Sequence, residues 1–164
     1  MLKGFIVLAA LSAVLTSAGC GGSGRLSKPE YLARLHAVNV RVGRAEGAAE
    51  AAFAPGGSPS RGRHAILEWA NAEQQAGEEL AAVRPPKDAE AVNRNLSNAE
   101  KQFAAALRKA AGALEGAPAA DGPKILERQM RSSPAPSKLD QAIAQLSGIH
   151  STRHWTRDRP CRRH

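Results

Sequence analysis

The sequence predicts an all-α protein: a three- or four-helix antiparallel bundle, rich in alanine, with a disordered N-terminal tether and C-terminal tail. Apolar residues recur at alternating spacings of three and four over long stretches, which is the period of one face of a helix. Clusters of proline and glycine separate these stretches, and none of them alternates as a strand would. Short connections favour antiparallel neighbours, so we expect residues 27–149 to form one helical domain.

The first helix is predicted to begin at the capping box formed by residues 27–30. Here Ser27 can accept a hydrogen bond from a first-turn N–H while Glu30 reaches back. Gly43 and Gly47 each cost about 1 kcal/mol relative to alanine in a helix, so we expect the helix to loosen after Val42. It should end near residues 53–55. The inward stripe consists of Tyr31, Leu35, Val38, Val42, Ala45, Ala49 and Ala52.

Two further helices are predicted between the next breaks in the chain. A loop at residues 55–60 precedes a helix from about residue 61 or 63 to 83, and Arg84-Pro85-Pro86 precedes another over about 88–114. The inward residues of the second helix are Ile66, Trp69, Ala72, Ala76, Leu80 and Val83, and those of the third are Val92, Leu96, Ala99, Phe103, Ala106, Leu107, Ala110, Ala113 and Leu114. Weaker patterns indicate short helices at 124–131 and 137–146, the latter with Leu139, Ile143 and Leu146 inward.

The composition predicts a thin hydrophobic core. Leu, Ile, Val and Phe make up 22 of residues 20–164, and this fraction lies below the roughly 20% under which disorder competes with folding. Alanine favours helix while burying little area, so we expect closely packed helices. Partial disorder and a coiled-coil dimer are the alternatives.

The first 20 residues have the pattern of an export signal. Lys3 is followed by an 11-residue apolar run, residues 5–15, and then by small residues up to Cys20. This run is shorter than the roughly 18 to 20 residues that cross a bilayer. Residues 1–19 are therefore predicted to be a signal peptide. Residues 20–26, with glycines at 21, 22 and 24, would form a flexible tether.

The segment Ala18-Gly19-Cys20 resembles the bacterial lipobox. That resemblance implies a diacylglycerol group on the Cys20 thiol and a location on the outer face of the cell membrane, or in the outer membrane if the organism has one. The alternative is an ordinary secretory signal cut near residue 18 or 19. With the segments 27–31 and 80–86, residues 1–115 resemble small helical lipoproteins of high-GC actinobacteria, a resemblance that supplies no catalytic residues.

The tail, residues 150–164, contains five arginines and one aspartate and so carries a formal net charge of +4. Residues 20–149 carry only +3, and no nucleic-acid-binding motif is present, so we expect no nucleic-acid partner. Anionic lipid or cell-wall polymer is the expected partner of the tail. The predicted membrane-surface residues are Trp155, Arg157, Arg159, Arg162 and Arg163. A disordered basic end and a frameshifted sequence are alternatives for this segment.

A weaker hypothesis places a metal in the same tail. The histidines at 150 and 154 are four residues apart, as two ligands on one helix face would be, although the nearby arginines would repel a cation. The candidate ligands are His150, His154, Cys161 and His164.

The helical carboxylates do not form a recognisable catalytic or metal-binding set. No inward Glu-x-x-His pair occurs, so we predict a solvated position for each of Glu46, Glu50, Glu73, Glu78, Glu79, Glu90 and Glu100. His36 and His64 are likewise predicted to lie on the surface.

The sequence also lacks a recognisable nucleophile–base pair, so we expect a non-enzymatic protein without a cofactor. It should act as an envelope interaction module with few buried polar groups and an unidentified envelope protein as partner. The alternative is a ligand-binding lipoprotein with a groove near Trp69 and Phe103.

Overall fold

The helices of the domain lie close to where the sequence predicts them. The computed structural model describes residues 24–54, 58–118 and 121–151. Five α-helices span this part of the chain: α1 (Lys28–Ala52), α2 (Pro59–Ala82), α3 (Glu90–Ala113), α4 (Gly122–Arg131) and α5 (Ala135–Ser151), with a 3₁₀ turn at Lys87–Ala89 before α3. The described residues include no strand. The all-α prediction is therefore confirmed.

Four of the helices, α1, α2, α3 and α5, form an antiparallel bundle. The most extensive packing joins α2 to α3, which packs in turn against α5 and α4. The direction of α5 follows from two hydrogen bonds: Asn95 Nδ2 donates to Gln145 Oε1 at 3.0 Å, and Lys138 Nζ donates to Gln102 Oε1 at 2.9 Å. Later residues of α5 thus lie beside earlier residues of α3. We call the end where α1 and α3 begin the proximal end and the opposite end the distal end.

The start of α1 is joined to the α2–α3 connection. The predicted capping box is present: Glu30 Oε2 accepts from Ser27 N at 2.8 Å, and Ser27 Oγ accepts from Glu30 N at 3.4 Å. Hydrogen bonds from Ser27 hold the pKa of Glu30 below its usual value. Just before the helix, Leu26 N donates to the Arg84 carbonyl oxygen at 2.8 Å. The chain is therefore fixed to the proximal end from the first described residues.

Two predictions about helix geometry are wrong. Helix α1 continues without interruption past Gly43 and Gly47, because Ala49 and Ala52 are buried in the bundle and this packing offsets the low helix propensity of glycine. A Cβ added at either glycine would meet nothing within 4 Å, so no neighbour constrains these positions. Two residues predicted to be inward are exposed: Ile143 in α5 is 44% exposed, with Ala142 buried instead, and Ala113 is exposed at the end of α3.

Buried apolar side chains form three clusters, one toward the distal end of the bundle and two toward the proximal end. The distal cluster is centred on Ile66, Trp69, Phe103 and Leu107, and the side chains of α4 pack against it. The proximal clusters contain Leu80, Leu96, Ala99 and Ala142, with Val38, Val42 and Ala76 beside them. In the part of the chain that is described, none of the helices combines the length and apolar character needed to span a membrane.

Candidate functional site

Three glutamates from three helices lie between the apolar clusters. Glu46 on α1, Glu73 on α2 and Glu100 on α3 are 9%, 1% and 8% exposed. We call these three residues the glutamate layer. In α1 and α3 the glutamate lies after residues of the proximal clusters and before residues of the distal cluster. Helix α2 runs in the opposite direction, so Glu73 lies after Trp69 of the distal cluster and before Ala76 of the proximal clusters. The layer therefore separates the two halves of the core. Buried carboxyl groups are rare unless they are paired or protonated, which makes this layer the most unusual chemical feature of the domain.

Glu73 and Glu100 form a pair that must share a proton. Trp69 Nε1 donates to Glu73 Oε1 at 2.8 Å, which orients the Glu73 carboxyl group. The Glu73 and Glu100 carboxyl groups also hydrogen-bond each other. Two carboxylates have no proton to donate, so this bond requires that one of them be protonated. Apart from this carboxyl–carboxyl hydrogen bond, no donor among the described residues is hydrogen-bonded to the Oε2 atom of either glutamate.

Burial raises the pKa of both carboxyl groups in this pair. Removal from water raises the pKa of Glu100 to about 10, with the hydrogen bond to Glu73 and the charge of Glu73 adding to the effect. Burial also raises the pKa of Glu73, although its hydrogen bonds with Glu100 and Trp69 act in the opposite direction. The Glu73–Glu100 pair therefore retains a proton at neutral pH.

Glu46 is the member of the layer that titrates near neutral pH. Burial raises its pKa to about 7, and the nearby charges of Glu50 and Glu73 contribute to the increase. No ion pair between the layer and a basic side chain is found among the described residues. The layer can therefore bind and release a proton within the physiological pH range.

Within residues 24–54, 58–118 and 121–151, no group of three or more His, Cys, Asp or Glu residues is placed to hold a metal ion. Proton binding is the chemistry that the layer supports.

The prediction of solvated carboxylates is wrong for Glu46, Glu73 and Glu100. The prediction is confirmed for Glu50, Glu78 and Glu90, which are exposed. Glu79 is half-buried, and its Oε1 forms a salt bridge with Arg41 Nη2 at 2.9 Å. The expectation of few buried polar groups is also wrong, since Asn93 and Ser97 are buried in addition to the three glutamates.

A sequence signal for the layer exists but is not specific. Glu46 lies four residues after Val42 and three before Ala49. Glu73 and Glu100 have the same spacing from buried neighbours on their own helices. Each carboxyl group therefore lies on the edge of an inward stripe. Glu79 has a similar position relative to Ala76 and Val83, and it remains half-buried.

Trp69 and Phe103, the residues named for a ligand groove, pack against each other. Their ring centroids are 5.5 Å apart at an interplanar angle of 73°, an edge-to-face contact inside the distal cluster. They are 8% and 7% exposed. A ligand between these rings would have to displace that contact, and the groove stays a prediction.

The remaining predicted sites divide into exposed and undescribed residues. His36 and His64 are exposed, as predicted. His150 lies in the last turn of α5, but its side chain is outside the described part. The other predicted site residues lie outside the described residues altogether: Cys20, His154, Trp155, Arg157, Arg159, Cys161, Arg162, Arg163 and His164.

Comparison with known proteins adds no assignment: no family model, no curated protein and no solved structure matches this chain. The resemblance to actinobacterial lipoproteins therefore stays a prediction from the sequence.

Proposed function

We propose that this protein is a lipid-anchored helical interaction module on the extracytoplasmic face of the cell membrane, held there by diacylglycerol on Cys20. The observation that carries the proposal is the lipobox-like segment 18–20, followed directly by the glycine-rich stretch 21–24. Two acyl chains hold a protein on a membrane stably, whereas one chain binds only weakly.

The start of the fold supports an anchor at this position. The chain becomes fixed to the bundle at Arg25 and Leu26, where Arg25 Nη1 donates to the Pro85 carbonyl oxygen at 3.0 Å. Leu26 is six positions after Cys20, and a fully extended chain of that length spans about 20 Å. Acyl chains on Cys20 would therefore keep the proximal end close to the bilayer surface.

An interaction role fits the sequence better than catalysis, which has no recognisable nucleophile–base pair to support it. The partner would be an envelope protein that contacts the outward faces of the bundle. The buried glutamates lie inside the core and do not contribute to such a surface.

The test compares wild type with Cys20→Ala in a bacterial host, by intact mass and membrane fractionation. Cys161→Ala is the matched control, because these are the two cysteines of the sequence. We expect wild type and Cys161→Ala to carry diacylglycerol and to fractionate with membranes, and Cys20→Ala to be unacylated and released or unprocessed. If wild type and both variants were all soluble and unacylated, the proposed anchor would be wrong.

The interaction role is tested separately by crosslinking in intact cells. The acylated wild type should recover a reproducible envelope protein after crosslinking and purification from membranes. Repeated recovery of no partner would contradict this part of the proposal.

A further inference from the structure

Helix α1 is attached to the bundle unevenly along its length. Among the described elements, it packs extensively on α2 alone. Its first half also has polar contacts with other helices: Tyr31 Oη donates to Asn93 Oδ1 at 3.1 Å, and Arg41 Nη2 pairs with Glu79 Oε1 at 2.9 Å. After Arg41, no hydrogen bond or ion pair among the described residues joins α1 to another helix. The second half, residues 42–53, is therefore held by apolar packing.

This second half of α1 buries little apolar area. Its buried apolar residues are Val42, Ala49 and Ala52, with Ala45 half-buried. An alanine contributes much less than the roughly 1.5 to 3 kcal/mol of a buried larger apolar side chain. Gly43 and Gly47, on either side of Glu46, each lower the stability of the helix by about 1 kcal/mol relative to alanine. Residues 42–53 can therefore be displaced at a lower cost than α2 or α3, which share the most extensive packing of the bundle.

One large side chain closes the far end of this segment onto the bundle. The half-buried ring of Phe53 lies against Gly62 at the start of α2 and Gly122 at the start of α4. A Cβ at either glycine would lie 2.8 Å from Phe53 Cε1, so a larger residue there would have to push the ring aside. Phe53 thus holds three helices together at the distal end.

Glu46 lies in the middle of this weakly held segment and faces other carboxyl groups. The charges that act on it are those of Glu50 on α1 and of Glu73 on α2, and Glu73 is hydrogen-bonded to Glu100 on α3. Both charges oppose the loss of a proton from Glu46 while it is buried.

The basic residues of α1 nearest to Glu46 do not neutralise it. Arg41 pairs with Glu79, and Arg44 is exposed. An ionised Glu46 would therefore be a buried negative charge without a counter-charge, a state that costs several kcal/mol unless water reaches it. The least costly way to admit water is to displace the segment that carries Glu46.

We propose that residues 42–53 form a pH-operated flap: proton loss from Glu46 moves this half of α1 away from α2 and uncovers the apolar distal cluster, and proton uptake closes it. The flap does not depend on the proposed anchor at Cys20. It couples the pH around the protein to the exposure of an apolar surface.

The direction of the response follows from the pKa of Glu46, which burial raises from 4.5 to about 7 in the closed bundle. In the open flap the carboxyl group is hydrated and its pKa returns toward 4.5, so the closed form binds the proton more tightly. The equilibrium constant for opening should therefore rise with pH and level off above about pH 7. Between pH 5 and pH 8 we expect a rise on the order of 10- to 100-fold.

The first experiment measures amide hydrogen exchange from pH 5 to pH 8 in the full chain carrying Cys20→Ala. Each rate is divided by the intrinsic rate of the same amide at that pH. Residues 44–53 report opening of the flap, and residues 101–111 of α3 report unfolding of the whole bundle. We expect lower protection in the flap at every pH, falling by on the order of 10- to 100-fold across the range. Equal protection in the two segments at every pH would show that only the whole bundle opens, and would overturn the flap.

Glu46→Gln removes the ionisable group, so protection of residues 44–53 should stay nearly constant from pH 5 to pH 8. Glu68→Gln, exposed on α2, is the matched control and should keep the wild-type dependence. Glu100→Gln should keep it as well, because the Glu73–Glu100 pair remains between α2 and α3 when the flap opens. A Glu46→Gln variant with the wild-type dependence, or an equal reduction in Glu100→Gln, would overturn the role of Glu46. Glu46→Ala, which extends the alanine stripe of α1, replaces Glu46→Gln if the buried amide prevents folding.

Phe53→Ala tests the closure at the distal end. Loss of the ring should lower protection of residues 44–53 by about tenfold or more at every pH, while the dependence on pH remains. Val40→Ala, at an exposed position of the same helix, is the control and should change protection by less than about threefold. Unchanged protection in Phe53→Ala would overturn the closure by this ring.

Discussion

The helices α2 and α3 bury two kinds of polar group within a few turns of each other. Near the proximal end, Tyr31, Asn93 and Ser97 form a neutral set that we call the asparagine cluster. Tyr31 Oη donates to Asn93 Oδ1 at 3.1 Å, Asn93 Nδ2 donates to the Leu80 carbonyl oxygen at 2.8 Å, and Ser97 Oγ donates to the Gly77 carbonyl oxygen at 2.7 Å. In the glutamate layer, by contrast, Glu73 and Glu100 each retain an unpaired Oε2.

This difference shows that α2 and α3 bury some polar groups whose contribution to stability depends on pH and others whose contribution does not. The asparagine cluster matches neutral donors to acceptors, and burial raises the pKa of Tyr31 to about 12, so its phenol stays protonated. The Leu80 carbonyl lies in the last turn of α2, where it has no partner within the helix, and Asn93 supplies one. The glutamate layer must instead hold protons in order to remain buried.

The largest effect is expected from removing the central partner of the asparagine cluster. Asn93→Ala leaves both Tyr31 Oη and the Leu80 carbonyl oxygen buried without their partner. We expect the free energy of unfolding to fall by about 2 to 4 kcal/mol, measured by urea unfolding with circular dichroism. Asn98→Ala, an exposed position on the same helix, is the control and should change stability by less than about 0.5 kcal/mol. Equal effects of the two substitutions would show that the buried hydrogen bonds contribute little.

A smaller effect is expected from pH acting on the glutamate layer. Folding raises the pKa of Glu46 from 4.5 to about 7 and that of Glu100 to about 10, so the folded state binds more protons than the unfolded state above pH 4.5. The free energy of unfolding should therefore fall as pH rises, and the Glu46 part of this fall should be on the order of 2 kcal/mol between pH 5 and pH 8. The Glu46 contribution ends near pH 7, and the Glu100 contribution continues toward pH 10. Urea midpoints that stayed constant or rose over this range would contradict the assignment.

The smallest effect is expected for Glu100→Gln near pH 4.5, the ordinary pKa of the carboxyl group. The amide is neutral at every pH and can donate to Glu73, as the protonated carboxyl group does, so stability there should change by less than about 1 kcal/mol. At pH 7 the variant should be more stable than wild type, because folding no longer requires Glu100 to take up a proton that it lacks in the unfolded state. Between pH 8 and pH 10 the variant should lose less stability than wild type. Glu68→Gln, exposed on α2, should retain the wild-type pH profile. A Glu100→Gln profile identical to wild type would place the titrating group elsewhere.

The helices could be predicted closely because their limits depend on local sequence. Ser27 and Glu30 mark the start of α1, and Pro85 and Pro86 separate α2 from α3. Helix α1 is an exception, because it continues past Gly43 and Gly47. The cause is tertiary: burial of Ala49 and Ala52 offsets the low helix propensity of the two glycines. In α5, Ile143 was predicted to be inward from an incomplete stripe, and the contact with α3 buries Ala142 instead.

The candidate site could not be predicted in the same way. Glu46, Glu73 and Glu100 have stripe-edge positions, as Glu79 does, and helical period alone does not distinguish a buried edge from a half-buried one. Which edge is buried depends on the angle and distance of the neighbouring helix. Gly77 shows how close that approach is, because a Cβ there would lie 2.8 Å from the Ser97 carbonyl oxygen on α3.

The sequence by itself determined the helical class, the limits of the helices and the predicted export signal, because capping, chain breaks and helical period act between residues a few positions apart. Only the tertiary structure decided that three carboxyl groups from three helices share the core and that α5 buries Ala142 rather than Ile143. Both depend on how separate helices are oriented and packed, and the local sequence of each helix does not contain that information.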